Sequence, residues 1–303
     1  MPSPLTDGLA WIVVALFGAG VVLDATDRRP RARHVTVAAW VLFAAFWLAL
    51  VPHFALEQRS IVEGVLSLAA VPASLYTGRE VYRGRDSLLV LSRAVAVMGL
   101  VYLPANTIEA VRQPLVLMTT DHTQWLIHQL GQDPRIVEGR ELGYQNAFWF
   151  VTGGRPYVTE VLLACTGLGS ISIFTGLVVA LDAPARRKVA GLAAVVPVIY
   201  GLNVVRVAFI ALAHGNQWFR GQEWVLVLFG SEEVGMISFF VADRIVSQLL
   251  SVVVLVALAL ALVRVLPEIV VVFEDVLYLA TGDEYDLRAA VGADVRADGS
   301  GSD

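Results

Sequence analysis

Long apolar segments divide this chain of 303 residues and constrain its fold more than any other feature of the sequence. Because about 20 apolar residues in an α-helix cross the hydrocarbon layer of a bilayer, seven segments are candidates for transmembrane helices. They cover residues 8–23, 35–52, 60–76, 88–105, 161–181, 189–213 and 244–264. Hydrophobic residues make up 57% of the chain, which is too high for a soluble domain. The sequence therefore predicts an all-α, polytopic integral-membrane bundle of about seven or eight transmembrane helices.

The eighth candidate is the apolar stretch 268–279, which contains Glu274 and Asp275. Two carboxylates in the middle of a span are costly, so we expect this stretch to lie along the inner membrane interface. Residues 267–303 carry nine Asp/Glu against two Arg. Such an acidic tail without lysine is compatible with the high-salt cytoplasm of a halophile and equally with an ordinary disordered terminus.

Arginine-rich loops set the expected orientation in the membrane. Basic residues concentrate in loops 24–34, 77–87 and 182–188, whereas loop 53–59 carries a single arginine. Because positively charged loops stay in the cytoplasm, the N-terminus is expected outside and the C-terminus inside. The long segment 106–159 then faces outward and forms an extracellular cap over the bundle.

This topology predicts four regions along the chain. The segment that precedes the first apolar run has no basic residue, so this run is expected to be a retained helix rather than a cleaved signal. The regions are residues 1–105 with transmembrane helices 1–4, 106–159 as the cap, 160–266 with the helices that carry the candidate site, and 267–303 as a cytoplasmic interfacial helix and acidic tail.

One cysteine and two arginines mark the last three apolar segments. Cys165 is the only cysteine, so it forms no internal disulfide and offers no metal-binding spacing. Arg206 and Arg244 each place a charge in or near hydrocarbon, which costs a few kcal/mol and usually serves a function. Counted at 1.5 Å per residue, all three are expected roughly 10 Å or less below the outer boundary. A thiol near two cations is stabilised as the thiolate, which is the nucleophilic form.

Each of these residues also has a purely structural explanation. A lone Cys165 is most often a small apolar filler, and Arg244 could extend its charge to the membrane interface. Asn203, three residues before Arg206 on the same helix face, could bond to a neighbouring helix. His214 is more often an interfacial histidine than a base. Because three separate segments place charge and thiol at one depth, we interpret them as one site.

Three short motifs occur in order along these segments: Ala164-Cys165-Thr166-Gly167, Asn203-Val-Val-Arg206 and Asp243-Arg244. Together they resemble the archaeosortase/exosortase family of integral-membrane transpeptidases. The resemblance implies that Cys165 is the catalytic nucleophile and that Arg206 belongs to the active site. Many bacterial members have a histidine in the third motif, whereas Arg244 here matches the archaeal branch, so this motif supplies no imidazole base.

The resemblance leaves several supporting roles open. Asn203, Asp243 and His214 are candidates for support of the site, and both arginines are candidates for stabilising the thiolate and the oxyanion. The leaving amine must gain a proton, for which His214, Glu160 and bound water are the candidates.

The resemblance also implies a substrate class. Archaeal members act on secreted proteins, among them the surface-layer glycoprotein, that end in a sorting signal made of a Pro-Gly-Phe motif, a transmembrane helix and a basic cluster. They remove this signal and join the new C-terminus to a membrane lipid. No metal or cofactor is needed for this chemistry, and no nucleic-acid partner is expected.

Three other functions stay open on sequence alone. An intramembrane cysteine protease would hydrolyse the signal without lipid transfer. An anion transporter would bind its ion with Arg206 and Arg244, although the sequence shows no inverted repeat. A non-catalytic membrane chaperone would need no thiol. Replacing Cys165 by Ser separates the thiol enzyme from the last two.

Overall fold

The computed structural model describes residues 4–57 and 61–287 and is mostly helical. The helices are α1 (Pro4–Ala25), α2 (Arg29–Pro52), α3 (Ile61–Arg83), α4 (Leu88–Thr107), α5 (Glu109–Gln129), α6 (Leu168–Ala180), α7 (Ala185–Gly215), α8 (Trp224–Phe229), α9 (Ile237–Phe239), α10 (Gln248–Val265) and α11 (Val270–Thr281). The strands are β1 (Arg135–Glu138), β2 (Gln145–Thr152) and β3 (Arg155–Glu160).

Helices α1 to α4 form the N-terminal part of the bundle. Helix α2 packs against α1 and α3, and α1 packs against α4. Phe17 and Trp40 lie at the centre of this packing with their rings edge to face, 5.1 Å apart. The Trp40 indole donates a hydrogen bond to Ser92 Oγ at 3.0 Å, so its polar atom is satisfied inside the core. Because α4 also packs against α6, it joins this half to the site-bearing half.

A helix lies at each of the seven predicted transmembrane positions. Within the described part of the chain, five helical segments are both long and apolar enough to cross a membrane: Pro4–Ala25, Arg29–Leu56, Leu88–Thr107, Ala185–Gly215 and Val234–Val265. Helix α3 is long but more polar, and α6 has only 13 residues. The prediction of a polytopic helical membrane bundle is confirmed.

Two boundaries differ from the sequence prediction, and both concern the candidate site. The expected helix 161–181 begins only at Leu168, because Cys165 lies in a 3₁₀ turn and Gly167 then adopts a left-handed conformation with φ of 76°. Cys165 therefore precedes its helix instead of lying inside it. Arg244 was expected at the outer end of its helix, but the helical segment Val234–Val265 begins ten residues earlier. Arg244 lies in a π-helical part of this segment.

The predicted cap, residues 106–159, consists of α5 and a small antiparallel sheet of order β1-β2-β3. Strands β2 and β3 form a hairpin through Gly153 and Gly154, whose φ angles of 60° and 76° suit the tight turn that matches strand twist. One face of the sheet packs on α7, where a side chain at Gly215 would collide with the ring of Phe150. The sheet is the exception to the all-α prediction.

Helix α11 covers the stretch that was predicted to lie along the inner interface. It has 12 residues, about 18 Å of helix, which is too short to cross a bilayer. It packs against α3 and α4. Asp275 is 3% exposed and is held by Arg85 from the loop before α4, with an Nε–Oδ1 distance of 3.2 Å. The acidic residues after 287 lie outside the described residues.

Candidate active site

Cys165 lies in a tight turn between the sheet and α6. The chain leaves β3 in extended conformation and turns at Leu163–Thr166, where the Cys165 amide donates to the Leu162 carbonyl at 2.9 Å. The Thr166 hydroxyl donates to the Leu163 carbonyl at 2.7 Å, so local bonds hold the turn closed. The cysteine is therefore presented by a short rigid turn at the start of a helix, half-buried against the core under the sheet.

Asn203 on α7 connects this turn to the second motif. Its amide Nδ2 donates a hydrogen bond to the Cys165 carbonyl. A Cβ atom at Gly167 would lie 3.2 Å from the Asn203 Cβ, so the Cys165 turn and α7 approach closely where Gly167 has positive φ. Glycine fits both demands at this position. The structure thus brings the first two predicted motifs into direct contact.

Asp243 connects the second motif to the third. Arg206 Nη2 donates to Asp243 Oδ1 at 2.9 Å. Arg244 Nε lies 3.4 Å from Asp243 Oδ2, within ion-pair distance but without hydrogen-bond geometry. One carboxylate therefore holds two guanidinium groups. The charges of Arg206 and Asp243 both reach the Cys165 thiol and act on it in opposite directions.

The two arginines keep unused donors at this site. Arg206 Nε and Arg244 Nε are buried and have no hydrogen-bond partner among the described residues. Their side chains are 29% and 20% exposed, so solvent reaches them only in part. Buried donors are rarely left unpaired, and an acceptor with negative charge would satisfy them. The arrangement is therefore chemically suited to bind an anion.

His214 lies at the sheet end of α7. Its ring meets Tyr157 edge to face at 5.5 Å and Phe239 at 5.7 Å, and the residue is 4% exposed. Eight residues of helix separate it from Arg206, about 12 Å along the axis. His214 is therefore packed among aromatic rings and takes no part in the ion pairs of Asp243.

Glu160, a candidate proton donor, holds the turn between β1 and β2. Its carboxylate accepts hydrogen bonds from the backbone amides of Arg140 at 3.0 Å and Glu141 at 3.1 Å. It also accepts one from Asn146 Nδ2 at 3.4 Å. Both carboxylate oxygens of Glu160 are thus engaged in holding the turn between β1 and β2.

Helix α5 is a part of the site region that the sequence analysis missed. It packs on the turn of Cys165 and on α7. Its buried face consists of Val116, Thr119, Thr120, Thr123 and Ile127. Spacings of three and four residues are the helical signal, and they were present in the sequence but masked by the low hydropathy of the segment.

No group of three or more possible metal ligands occurs in residues 4–57 and 61–287.

Known proteins match nearly the whole chain. The family model described as transmembrane exosortase matches residues 6–246. Archaeosortase A of Haloferax volcanii is 52% identical over 305 residues, which cover 97% of this chain and 100% of the relative. Archaeosortase A of Natronomonas pharaonis is 46% identical over 286 residues, 90% of this chain and 89% of the relative. No solved structure matches the chain.

Proposed function

This chain belongs to the transmembrane exosortase family, and we propose that it is a membrane-embedded cysteine transpeptidase with Cys165 as nucleophile. The single observation that carries the proposal is a chain of direct contacts that links three separate elements. The Cys165 turn is held by Asn203 on α7, and Arg206 on the same helix is held by Asp243 beside Arg244. A thiol with cations and free N–H donors beside it is suited to attack a carbonyl and to stabilise the resulting oxyanion.

The proposed substrates are secreted proteins, including a surface-layer glycoprotein, that end in a sorting signal. This signal consists of a Pro-Gly-Phe motif, a transmembrane helix and a basic cluster. The similarity to two proteins named archaeosortase A supports this substrate class. A substrate anchored by one helix is confined to the membrane plane, and this confinement supplies much of the positioning that the reaction needs.

In the first step the Cys165 thiolate attacks the carbonyl carbon of the scissile amide. A carbon–sulfur bond forms, and the electron pair of the carbonyl moves to its oxygen. Arg206 and Arg244 donate hydrogen bonds to this oxyanion, while Asp243 fixes the position of both guanidinium groups. The intermediate collapses with cleavage of the carbon–nitrogen bond. The amine gains a proton and leaves with the transmembrane segment, and the substrate remains as a thioester on Cys165.

In the second step a nucleophile of a membrane lipid headgroup attacks the thioester carbonyl. The carbon–sulfur bond breaks, the thiol returns, and the new C-terminus is joined to the lipid. If water attacks instead, the product is a free carboxylate and the enzyme is an intramembrane protease. The lipid is supported as acceptor because Arg206 and Arg244 lie on helical segments long and apolar enough to span a membrane, Ala185–Gly215 and Val234–Val265.

The test compares the wild-type protein with Cys165→Ala and Cys165→Ser in cells that express a substrate. The two variants are expected to accumulate uncleaved substrate at normal protein levels. Mass spectrometry of the processed C-terminus in the wild type is expected to show an added lipid. A free carboxylate at this C-terminus would show that the enzyme hydrolyses the signal and does not transfer the substrate to a lipid. Near-normal processing by Cys165→Ala would overturn the cysteine enzyme altogether.

The proposed orientation has the N-terminus outside, the C-terminus in the cytoplasm and the site near the outer leaflet. The arginine-rich loops support it. Single cysteines at Gln132, beside the sheet, and at Ser302, beyond the described residues, can be compared in a Cys165→Ala background. A membrane-impermeant thiol reagent is expected to label position 132 on intact cells. Labelling at position 302 but not at position 132 would show that the protein has the opposite orientation in the membrane.

A further inference from the structure

Strand β3 is an edge strand that leads directly to the Cys165 turn. The sheet order is β1-β2-β3, so β3 pairs with β2 and with no other strand among the described residues. One row of its backbone N–H and C=O groups is therefore without a strand partner. Such an edge is a template for another extended chain.

The hydrogen-bond pattern shows which groups face outward. Val161 N–H donates to the Asn146 carbonyl at 2.8 Å, which fixes one bonded pair of the ladder. Bonded and non-bonded pairs alternate in an antiparallel ladder, so the N–H groups of Val158 and Glu160 point away from β2. Pro156 occupies the third outward position, where a missing N–H breaks no bond of the sheet.

The geometry of the β2–β3 hairpin independently shows which N–H groups of β3 face outward. Its loop has two residues, Gly153 and Gly154, between the paired residues Thr152 and Arg155. A two-residue loop is closed by a bonded pair, and counting by twos from Arg155 again leaves Val158 facing outward. Outside the sheet, the Val158 N–H donates no hydrogen bond among the described residues, and the residue is 39% exposed.

The free edge runs along α7 toward the thiol. At one end Thr152 Oγ1 donates to the Gly215 carbonyl at 2.7 Å, and at the other Asn203 donates to the Cys165 carbonyl. Residues 203 and 215 are about 18 Å apart along the helix. Strand β3 packs on α7 and is followed at once by the turn Leu163–Thr166, so its open row of donors and acceptors ends beside the turn that presents Cys165.

We propose that this edge docks the substrate: the extended segment around the scissile bond adds to β3 as a fourth strand and is thereby guided to Cys165. The inference rests on the proposed function. An extended peptide carries the complementary N–H and C=O groups, and main-chain pairing binds it largely independently of its side chains. The occupant is thus the main chain of the substrate, while its transmembrane helix is held by the bilayer.

The first experiment replaces Val158 by Pro, which removes an outward N–H that β2 does not use. The value of kcat/KM for a sorting-signal substrate is expected to fall about tenfold or more, from lost hydrogen bonds and blocked pairing. Alkylation of Cys165 by a small thiol reagent should proceed at the wild-type rate. The control is Ile136→Pro, an outward position on the opposite edge in β1, which should retain processing per folded molecule within about twofold.

The second experiment does not depend on folding of a proline variant. In a Cys165→Ala background, Val158→Cys and Arg135→Cys each leave one thiol, on opposite edges of the sheet. A substrate with one cysteine next to its scissile motif is expected to form a disulfide with position 158 and not with 135. Equal cross-linking at both positions, or processing by Val158→Pro equal to wild type, would overturn the docking edge. Processing by Cys165→Ala would instead refute the proposed function.

Discussion

Two arginine–aspartate clusters among the described residues, one at α11 and one at Asp243, differ in the balance of cations and carboxylates. In the cluster at α11, Arg85 binds Asp275 and Glu284, and its guanidinium stacks 3.6 Å above the ring centre of Tyr278. Ser87 donates a further hydrogen bond to Asp275 at 2.9 Å. One cation serves two carboxylates, so little donor capacity remains. This is the pattern of a structural clamp.

The cluster at Asp243 has the opposite balance. One carboxylate serves two cations, Arg206 and Arg244, and the Nε atoms of both arginines are buried without a hydrogen-bond partner in the described part of the chain. A surplus of positive charge and of donors is costly for stability alone and useful for binding an anion that forms during a reaction. The difference indicates that an excess of cations over carboxylates, rather than buried charge as such, marks the cluster suited to bind an anion.

The largest effect is expected from Arg206→Lys or Arg244→Lys. An ammonium keeps the positive charge but loses the planar fork of donors, so the oxyanion is less well held. Turnover of a sorting-signal substrate at matched protein level should fall about 100-fold or more, as for other losses of an oxyanion donor. Arg85→Lys is the control and should turn over substrate nearly as the wild type does. Wild-type turnover by the site variants would show that charge alone suffices.

The second effect concerns stability at the clamp. Asp275→Asn removes one of the two carboxylates that bind Arg85, and the loss of a hydrogen bond between charged groups costs about 2 kcal/mol. Thermal unfolding in detergent should therefore shift to lower temperature, while turnover per folded molecule stays the same. A variant that is as stable as wild type but inactive would place Asp275 with the site and remove the contrast between the clusters.

A smaller effect is expected from Asp243→Asn. The amide keeps the size of the side chain but loses the charge that holds both guanidinium groups. The loss of one charge-assisted hydrogen bond is expected to lower the rate about tenfold. Because Asp243 acts through the arginines, kcat should fall more than KM rises. Asp243→Glu should restore part of the rate, which a merely structural role would not predict. An unchanged kcat in Asp243→Asn would show that the arginines need no such support.

The smallest effect is expected from His214→Ala. The ring lies between Tyr157 and Phe239 and about 12 Å along α7 from Arg206, so it is not placed to serve as the base. The loss of turnover should stay far below the roughly 100-fold that removal of a general base costs. A correctly folded variant as inactive as Cys165→Ala would establish a Cys–His pair and reduce the role of the Asp243 cluster.

The sequence indicated the bundle because crossing a membrane imposes a length and a polarity on each segment. It also identified Cys165, Arg206 and Arg244, since a lone thiol and charges in apolar runs are exceptions that a single sequence reveals. Those properties are local. The hairpin of β2 and β3 also has a local signal, Gly153 and Gly154 between two runs of residues that favour strands, although residues 106–159 were predicted only as a cap.

Only the tertiary structure decided how these residues are held. The sequence by itself determined that a thiol and two arginines lie near membrane segments. The fold decided that Cys165 precedes α6 in a turn, that Asn203 donates a hydrogen bond to this turn and that Asp243 binds both arginines. The physical reason is that the bonds of Asn203 to Cys165 and of Arg206 to Asp243 join residues 38 and 37 positions apart. A local pattern specifies which segments become helices, whereas the pairing of polar groups depends on which helix faces meet when the bundle packs.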